Sequence, residues 1–137
     1  MNSPQSIRKD WNLIESLIKK NSKILDIGCG EGTLISQLEK NINAKIKGIE
    51  VSGNLTRLAI SKGHNVVQGD AEKDLDQFAN KSFDYVILSQ TLQATITPKK
   101  LLIELLRIGG KAIVSFPNFG HWKIRAKLLI NGKMPIT

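Results

Sequence analysis

The sequence predicts an α/β protein in which an open parallel sheet of about five strands carries helices on both faces. Short apolar segments alternate with segments of helical periodicity along the chain, and this alternation is typical of a parallel sheet. A glycine-rich turn directly follows the first apolar segment, and an acidic residue lies at or near the end of each of the first three. Open α/β sheets bind ligands at the carboxyl ends of their strands, so the same observations predict where a ligand site lies.

Four amphipathic segments predict the helices. In residues 7–20, apolar side chains recur at steps of four, three and four on one helical face: Ile7, Trp11, Ile14 and Ile18. The other three segments are "TLISQLEK" (33–40), "NLTRLAISKG" (54–63) and "TPKKLLIELLRIGG" (97–110). Gly63 is predicted to be the C′ residue that ends its helix. Thr97 and Pro98 are predicted as the N-cap and a first-turn residue of the last of them.

The five predicted strands are "KILDI" (23–27), "AKIKGIE" (44–50), "HNVVQ" (64–68), "FDYVILS" (83–89) and "KAIVSF" (111–116). We expect "PNF" (117–119) to be an exit loop. The next stretch, "GHWKIRAKLLINGK" (120–133), is predicted as a basic helix, because three apolar residues fall at steps of four and three: Trp122, Ala126 and Leu129. A sheet of five strands leaves one edge uncovered, which invites pairing with another chain, so oligomer formation is left open.

Composition argues against membrane, exported and nucleic-acid-binding proteins. No apolar run reaches the ~20 residues that span a bilayer, and the N-terminus lacks the apolar core of a signal peptide, so we expect no membrane association. A single cysteine, Cys29, allows no intramolecular disulfide, which favours a cytoplasmic location. The net charge of +8 is compatible with a nucleic-acid partner. Aromatic residues, however, make up only 5% of the chain, which is poor material for base stacking, so we attribute the charge to surface lysine.

The stretch "DIGCGEG" (26–32) is the strongest indication of a ligand site. It follows a strand and precedes a helix, and Gly28, Gly30 and Gly32 permit a tight turn with close approach of a ligand to the backbone. The spacing differs from the G-x-G-x-x-G of dinucleotide-binding proteins. The carboxylate of Asp26 would repel a pyrophosphate but suits a cationic, amine-bearing ligand. The structural alternative is an ordinary strand-to-helix turn.

Acidic residues at the ends of the second and third strands extend the site. Glu50 closes the second strand, where an acidic side chain accepts hydrogen bonds from ribose hydroxyls. Asp70 follows the third strand, where its carboxylate can accept from an adenine amino group while the amide of Ala71 donates to a ring nitrogen. Either residue has an ordinary structural alternative, a solvated strand end for Glu50 and a Gly–Asp turn for Asp70.

Together these features specify a nucleoside that carries an amino-acid-like cation, which is S-adenosylmethionine (or S-adenosylhomocysteine). The set resembles the Rossmann-like class I S-adenosylmethionine-dependent methyltransferase fold. After the fourth strand, Ser89 and Gln90 begin a polar loop that can hydrogen-bond a ligand or merely connect strand to helix. The predicted cofactor-binding residues are Asp26, Gly28, Cys29, Gly30, Gly32, Glu50, Val51, Asp70, Ala71, Ser89 and Gln90.

A closer resemblance is to the MetW family of bacterial methionine biosynthesis proteins. It rests on "LDIGCGEG", "VVQGDAE", "SFDYVILSQTLQAT", "LLRIGGKAIVSFPNFGHWKIR" and "GKMPIT". The resemblance implies a methyltransferase fold with an S-adenosylmethionine pocket, and a link to the homoserine O-acyltransferase step, which the family is thought to support as a partner. Family members run on past the "MPIT" position with further strands. We therefore expect residues 1–137 to be one S-adenosylmethionine-binding domain, truncated at its C-terminus.

The sequence names no catalytic residue. The N/D-P-P-Y signature of amino-group methylases is absent, and His121, beside Trp122, is interpreted as an interface or packing residue rather than a general base. Cys29 is interpreted as packing within the glycine turn, and no metal-ligand spacing occurs. The expected function is a methionine biosynthesis protein that binds S-adenosylmethionine and supports the acyltransferase step as partner or regulator. The alternative is an active small-molecule methyltransferase, because methyl transfer is mostly positioning.

Overall fold

The computed structural model describes residues 11–89, 98–118 and 121–130. Its helices are α1, described over residues 11–16, α2 (Thr33–Ile42), α3 (Gly53–Ser61) and α4 (Pro98–Ile108). Its strands are β1 (Lys23–Ile27), β2 (Lys45–Glu50), β3 (Asn65–Gln68), β4 (Phe83–Ser89), β5 (Gly109–Asn118) and β6 (His121–Ile130). A short 3₁₀ helix, Leu75–Gln77, lies between β3 and β4.

The six strands form one sheet in the order β3-β2-β1-β4-β5-β6. The first five strands along the chain pair in parallel, and β6 is antiparallel to β5. The chain leaves β1 for β2 and β3 on one side and returns to β4 and β5 on the other, so the topological switch point lies between β1 and β4. This arrangement confirms the predicted open parallel sheet of five strands.

Helices cover both faces of the sheet, as predicted. On one face, buried residues of α1 and α2, with Ala59 of α3, pack against strand residues such as Ile24 and Ile87. On the other face, α4 and the 3₁₀ segment pack against residues such as Leu25 and Val86. Each central strand is therefore buried on both sides, which explains why residues 85–88 of β4 form a continuous apolar run.

Local signals set the ends of α3. The Ser52 side chain accepts a hydrogen bond from the Leu55 amide at 3.2 Å, which caps the start of the helix. At the other end, Gly63 has φ 91° and its amide donates to the Ile60 carbonyl. The next amide, that of His64, donates to the Ala59 carbonyl. These two bonds form a Schellman motif, which confirms the predicted C′ role of Gly63.

The first helix is shorter at its C-terminal end than the predicted span of 7–20. After residue 16 the amides of Leu17 and Ile18 donate to carbonyls three residues earlier, which tightens the last turn and ends the helix. Ile14 and Ile18 are nevertheless buried, as the spacing predicts. None of the helices within the described ranges is both long and apolar enough to cross a membrane.

The predicted basic helix after β5 is wrong. Residues 121–130 form β6, and β5 continues through Pro117 and Asn118, which were expected in an exit loop. The sequence "HWKIRAKL" alternates polar and apolar residues with a period of two, which indicates a strand, and three apolar residues at helical spacing masked that alternation. The register shifts between Phe116 and Asn118, at a proline that has no amide hydrogen for the ladder. Because β6 hydrogen-bonds to β5, the outer side of β5, which was expected to be an open sheet edge, is paired.

Candidate functional site

The predicted ligand residues converge on the carboxyl edge of the sheet. Asp26 lies one residue before the end of β1, Glu50 ends β2, and Asp70 follows β3 by two residues. Adjacent parallel strands bring these ends together, beside the switch point between β1 and β4. In open α/β sheets this is where ligands bind. Ser89 ends β4 at the same edge, whereas Gln90 lies outside the described residues.

The glycine turn has the backbone conformation that the sequence predicts. Gly30 and Gly32 have φ values of 60° and 93°, a region that residues with a Cβ atom rarely adopt. A Cβ atom placed on Gly30 would meet no atom within 4 Å, so the space above this residue is open. A ligand can therefore approach the Gly30 backbone closely.

Glu50 ties the glycine turn to the start of α3. Its carboxylate is buried, with 7% of the residue exposed. One oxygen accepts the Gly30 amide at 2.8 Å, and the other accepts the Ser52 amide at 2.8 Å. A carboxylate has about four acceptor positions, so each oxygen keeps capacity for a ligand hydroxyl. The sequence predicted only the ligand role; the two backbone bonds add a structural one.

Asp26 has a different environment. The residue is 1% exposed, and its Oδ1 atom has no hydrogen-bond partner in the part of the chain that the structure describes. Burial, and secondarily the nearby charge of Glu50, raises the pKa of Asp26 to about 7. A buried acceptor without a partner is costly. A cationic donor at this position would remove that cost and favour the ionised carboxylate.

A cavity of about 270 Å³ adjoins Asp26 and the glycine turn. Its apolar walls are Trp11 from α1, Leu34 from α2 and Leu55 from α3, and Glu31 and Thr33 also line it. The cavity thus joins a buried carboxylate, accessible backbone and apolar side chains, which is the usual make-up of a small-molecule site.

Cys29 packs against β2. A Cβ atom on Gly48 would lie 2.7 Å from the Cys29 sulfur, so the thiol occupies the space that this glycine leaves. Burial, Asp26 and Glu50 raise the pKa of the Cys29 thiol to about 12, which keeps it neutral and unreactive. The geometry agrees with the interpretation of Cys29 as a packing residue of the turn.

The third strand contributes a turn whose own hydrogen bonds are largely satisfied. The Asp70 carboxylate accepts the Glu72 amide at 2.8 Å, and the Asp70 amide donates to the Asp74 carboxylate at 2.7 Å. Ala71 packs against the core beneath. Val51, directly after Glu50, is 64% exposed and leaves an apolar surface at the same edge. The bond from the Asp70 amide shows that Asp74, which the sequence analysis did not select, also shapes this turn.

His64 is a further residue that the sequence analysis missed. A Cβ atom on Gly32 would lie 2.5 Å from the His64 ring, so the imidazole packs directly against the glycine turn. Its Nε2 atom lies 3.0 Å from Ser36 Oγ, and its Nδ1 atom lies 3.4 Å from Glu39 Oε1. His64 thus connects the end of α3 to the first turns of α2.

No group of three or more potential metal-binding side chains occurs within the described ranges. The candidate site brings together carboxylates, backbone amides and apolar side chains. This donor set suits an organic ligand with a cationic group and hydroxyls.

Comparison with known proteins defines the class. An S-adenosylmethionine-dependent methyltransferase from Thermotoga maritima has a TM-score of 0.62 at 26% sequence identity, over 77% of this chain and 49% of its own. The ubiquinone/menaquinone biosynthesis C-methyltransferase UbiE of Campylobacter jejuni is 32% identical over 107 residues, 71% of this chain and 45% of that protein. The fold is the Rossmann-like class I S-adenosylmethionine-dependent methyltransferase fold, which confirms the prediction.

Within this class, the family described as methionine biosynthesis protein MetW matches residues 8–137. The bifunctional methionine biosynthesis protein MetXA/MetW of Rhodopirellula baltica is 33% identical over 138 residues, 95% of this chain. The chain belongs to the MetW family, as its motifs predicted. It spans 22% of the length of the bifunctional relative and 45% of the Campylobacter jejuni relative.

Proposed function

We propose that this chain binds S-adenosylmethionine or S-adenosylhomocysteine at the carboxyl edge of its sheet, as a single ligand-binding domain. In this proposal it acts in methionine biosynthesis as a partner or regulator of the homoserine O-acyltransferase step. The observation that carries the ligand assignment is the buried Oδ1 atom of Asp26, which lacks a partner among the described residues. Asp26 also lines the cavity beside the glycine turn.

The ammonium group of the ligand is assigned to Asp26. A charged amine donates strong hydrogen bonds to a carboxylate. It would offset both the burial and the nearby charge of Glu50, which together raise the pKa of Asp26. The open space above Gly30 lets the amino-acid part of the ligand lie against the backbone. The residues present therefore fit the group.

The nucleoside is assigned to the ends of β2 and β3. Glu50 keeps acceptor capacity for the ribose hydroxyls beyond its two backbone bonds. The exposed Val51 side chain offers an apolar surface for one face of the adenine. Asp70 and the amide of Ala71 are assigned to the edge of the base. When bound, S-adenosylmethionine supplies a methyl group on a positively charged sulfur.

The partner assignment rests on the bifunctional relative. Its name places a MetXA and a MetW function in one protein, and the MetW family is linked to the homoserine O-acyltransferase step. Two functions joined in one chain are held at high effective concentration. Separate chains with the same functions would need a docking interaction to achieve the same proximity.

Acyltransferase assays test the partner role. We expect this chain to co-purify with homoserine O-acyltransferase and to raise its activity, while added S-adenosylmethionine is not consumed. Asp26→Asn serves as the control for the ligand site: it should weaken any effect of S-adenosylmethionine on that activity without abolishing co-purification. If the chain neither co-purifies nor changes the activity, the partner role is wrong, whatever the ligand assay gives.

A methyltransferase activity is the second candidate, favoured by the similarity to the C-methyltransferase UbiE. Transfer from a sulfonium needs mainly in-line positioning of donor and acceptor, so the site requires no dedicated base. The discriminating measurement is the formation of S-adenosylhomocysteine from S-adenosylmethionine in the presence of cell extract. Steady turnover that Asp26→Asn abolishes, without any acyltransferase binding, would replace the partner role by an enzymatic one.

A further inference from the structure

The amino edge of the sheet, opposite the ligand site, is strongly basic. Two clefts of about 500 and 420 Å³ lie there, and Phe83 lines both. The first is lined by Lys19, Lys20, Lys81 and Lys111, and the second by Lys23, Lys45 and Lys47. We call these seven lysines and the two clefts the basic edge. Of the described residues that line the clefts, Asp84 alone is acidic.

We propose that the basic edge is a docking surface for an acidic segment of a partner protein. The lysines come from neighbouring strands and loops; Lys23 and Lys45, for example, are register partners in β1 and β2. Adjacent strands lie about 4.8 Å apart, so lysines at the starts of neighbouring strands lie side by side along this edge. The two clefts are large enough to hold side chains of the partner segment.

Aromatic rings hold three of the lysines in place. The ammonium groups of Lys23, Lys47 and Lys111 lie 5.2, 5.9 and 5.4 Å from the ring centroids of Phe83, Phe78 and Tyr85, respectively. Cation–π contacts of this kind restrict a long side chain while leaving its charge available. A surface whose cations are already ordered loses less entropy when a partner binds.

The same contacts argue against the other large anionic partners. The three rings are buried and face ammonium groups, so nucleic-acid bases find no open ring on which to stack. None of the exposed large apolar side chains of the described residues lines the clefts, so nothing there would insert into a lipid surface.

Charge is divided between the two edges of the molecule. The carboxyl edge holds the carboxylates of Glu50 and Asp70 with Asp26 buried beside them, and the amino edge holds the seven lysines of the basic edge. An acidic segment is therefore attracted to the amino edge and repelled from the ligand site. Docking at the basic edge leaves the carboxyl edge open to ligand.

Binding of a fluorescein-labelled oligoglutamate peptide, measured by fluorescence anisotropy, tests the proposal. The test variant reverses three exposed lysines whose side chains make no other recorded contact: Lys20→Glu, Lys45→Glu and Lys81→Glu. The control variant makes the same change in net charge elsewhere on the surface: Lys73→Glu, Lys99→Glu and Lys100→Glu. An oligothymidylate and vesicles of phosphatidylcholine with phosphatidylserine are the competing probes, and circular dichroism checks that both variants fold.

We expect the test variant to lose affinity for oligoglutamate roughly tenfold or more, and the control variant to lose about twofold at most. Equal losses in the two variants would overturn the proposal, because binding would then depend on net charge alone. Tighter binding of oligothymidylate or of the vesicles, lost in the same test variant, would overturn it in favour of nucleic acid or membrane.

Discussion

Asp26 and Glu50 are buried carboxylates at the ends of neighbouring strands, but their hydrogen bonding differs. Both Glu50 oxygens accept backbone amides, whereas Oδ1 of Asp26 has no partner among the described residues. Glu50 therefore stabilises the two turns that surround the cavity, and Asp26 is kept in an environment that disfavours its charge. Glu50 thus holds the site together, and Asp26 provides an acceptor that a ligand can use.

Asp26 should make stability depend on pH in a specific direction. Because its folded pKa of about 7 lies above the ordinary value of about 3.9, the folded chain holds a proton that the unfolded chain has lost. Wild-type stability therefore falls as the pH rises through this window. We expect Asp26→Asn to exceed wild type in free energy of unfolding by on the order of a few kcal/mol near pH ~8. Urea denaturation should show the difference shrinking toward pH ~5; equal stability at the higher pH would contradict the assignment.

Gly32 and Gly30 should respond differently to replacement by alanine. Both have positive φ, which costs about 1–2 kcal/mol for a residue with a Cβ atom. At Gly32 the new Cβ atom also meets His64 at 2.5 Å, whereas at Gly30 it meets nothing within 4 Å. We expect Gly32→Ala to lower the free energy of unfolding more than Gly30→Ala. In double-mutant cycles, His64→Ala should recover part of the excess loss at Gly32 and none at Gly30; additivity in both cycles would show that the ring is free to move.

At the scale of elements, Arg107 at the end of α4 fixes the segment between β3 and β4. Its guanidinium donates to the carbonyls of Leu75 and Phe78 and to the side chain of Asn80. Three acceptors within one short segment match the planar, forked donors of arginine better than a single ammonium group. Arg107 therefore connects α4 to the loop before β4 and contributes more than a positive charge.

Arg107→Lys should consequently destabilise the chain although it conserves charge. We expect a loss of about 1–2 kcal/mol in the free energy of unfolding, since an ammonium group recovers only part of the charged hydrogen bonding. Hydrogen exchange should become faster in residues 75–81. Arg57→Lys is the matched control: Arg57 is exposed and hydrogen-bonds the side chain of Asn54 three residues away, so its replacement should change little. Similar losses in the two variants would argue against the connection.

The elements that the sequence predicted well are those with one dominant local signal. β4 contains an unbroken apolar stretch, residues 85–88, and α3 is followed by a C′ glycine. The segment 121–130 was misread because it contains two periodicities, and pairing with β5 decides between them. Within the site, too, local sequence predicts some residues and not others. Asp26 and Glu50 were predicted from their positions at strand ends. His64 and Asp74 were missed because their roles depend on which residues the fold brings near them.

At the scale of the whole molecule, the sheet has two chemically different edges. The carboxyl edge gathers Asp26, Glu50, Asp70 and the glycine turn, and the amino edge gathers lysines around buried rings. Residues distant in sequence share each edge because parallel strands align their ends. The net charge of +8 is therefore unevenly distributed, and the proposed ligand site and the proposed docking surface lie at opposite edges of one sheet.

Calorimetric titration of S-adenosylhomocysteine and of adenosine into wild type and Asp26→Asn tests the central claim most directly. Adenosine lacks the ammonium group, so its affinity should be the same for both proteins. S-adenosylhomocysteine should bind Asp26→Asn roughly tenfold or more weakly than wild type, because a charged hydrogen bond is lost. Its affinity for wild type should also fall as the pH drops below about 7 and Asp26 becomes protonated. Equal affinity of S-adenosylhomocysteine for the two proteins would contradict the assignment of Asp26 to the ligand.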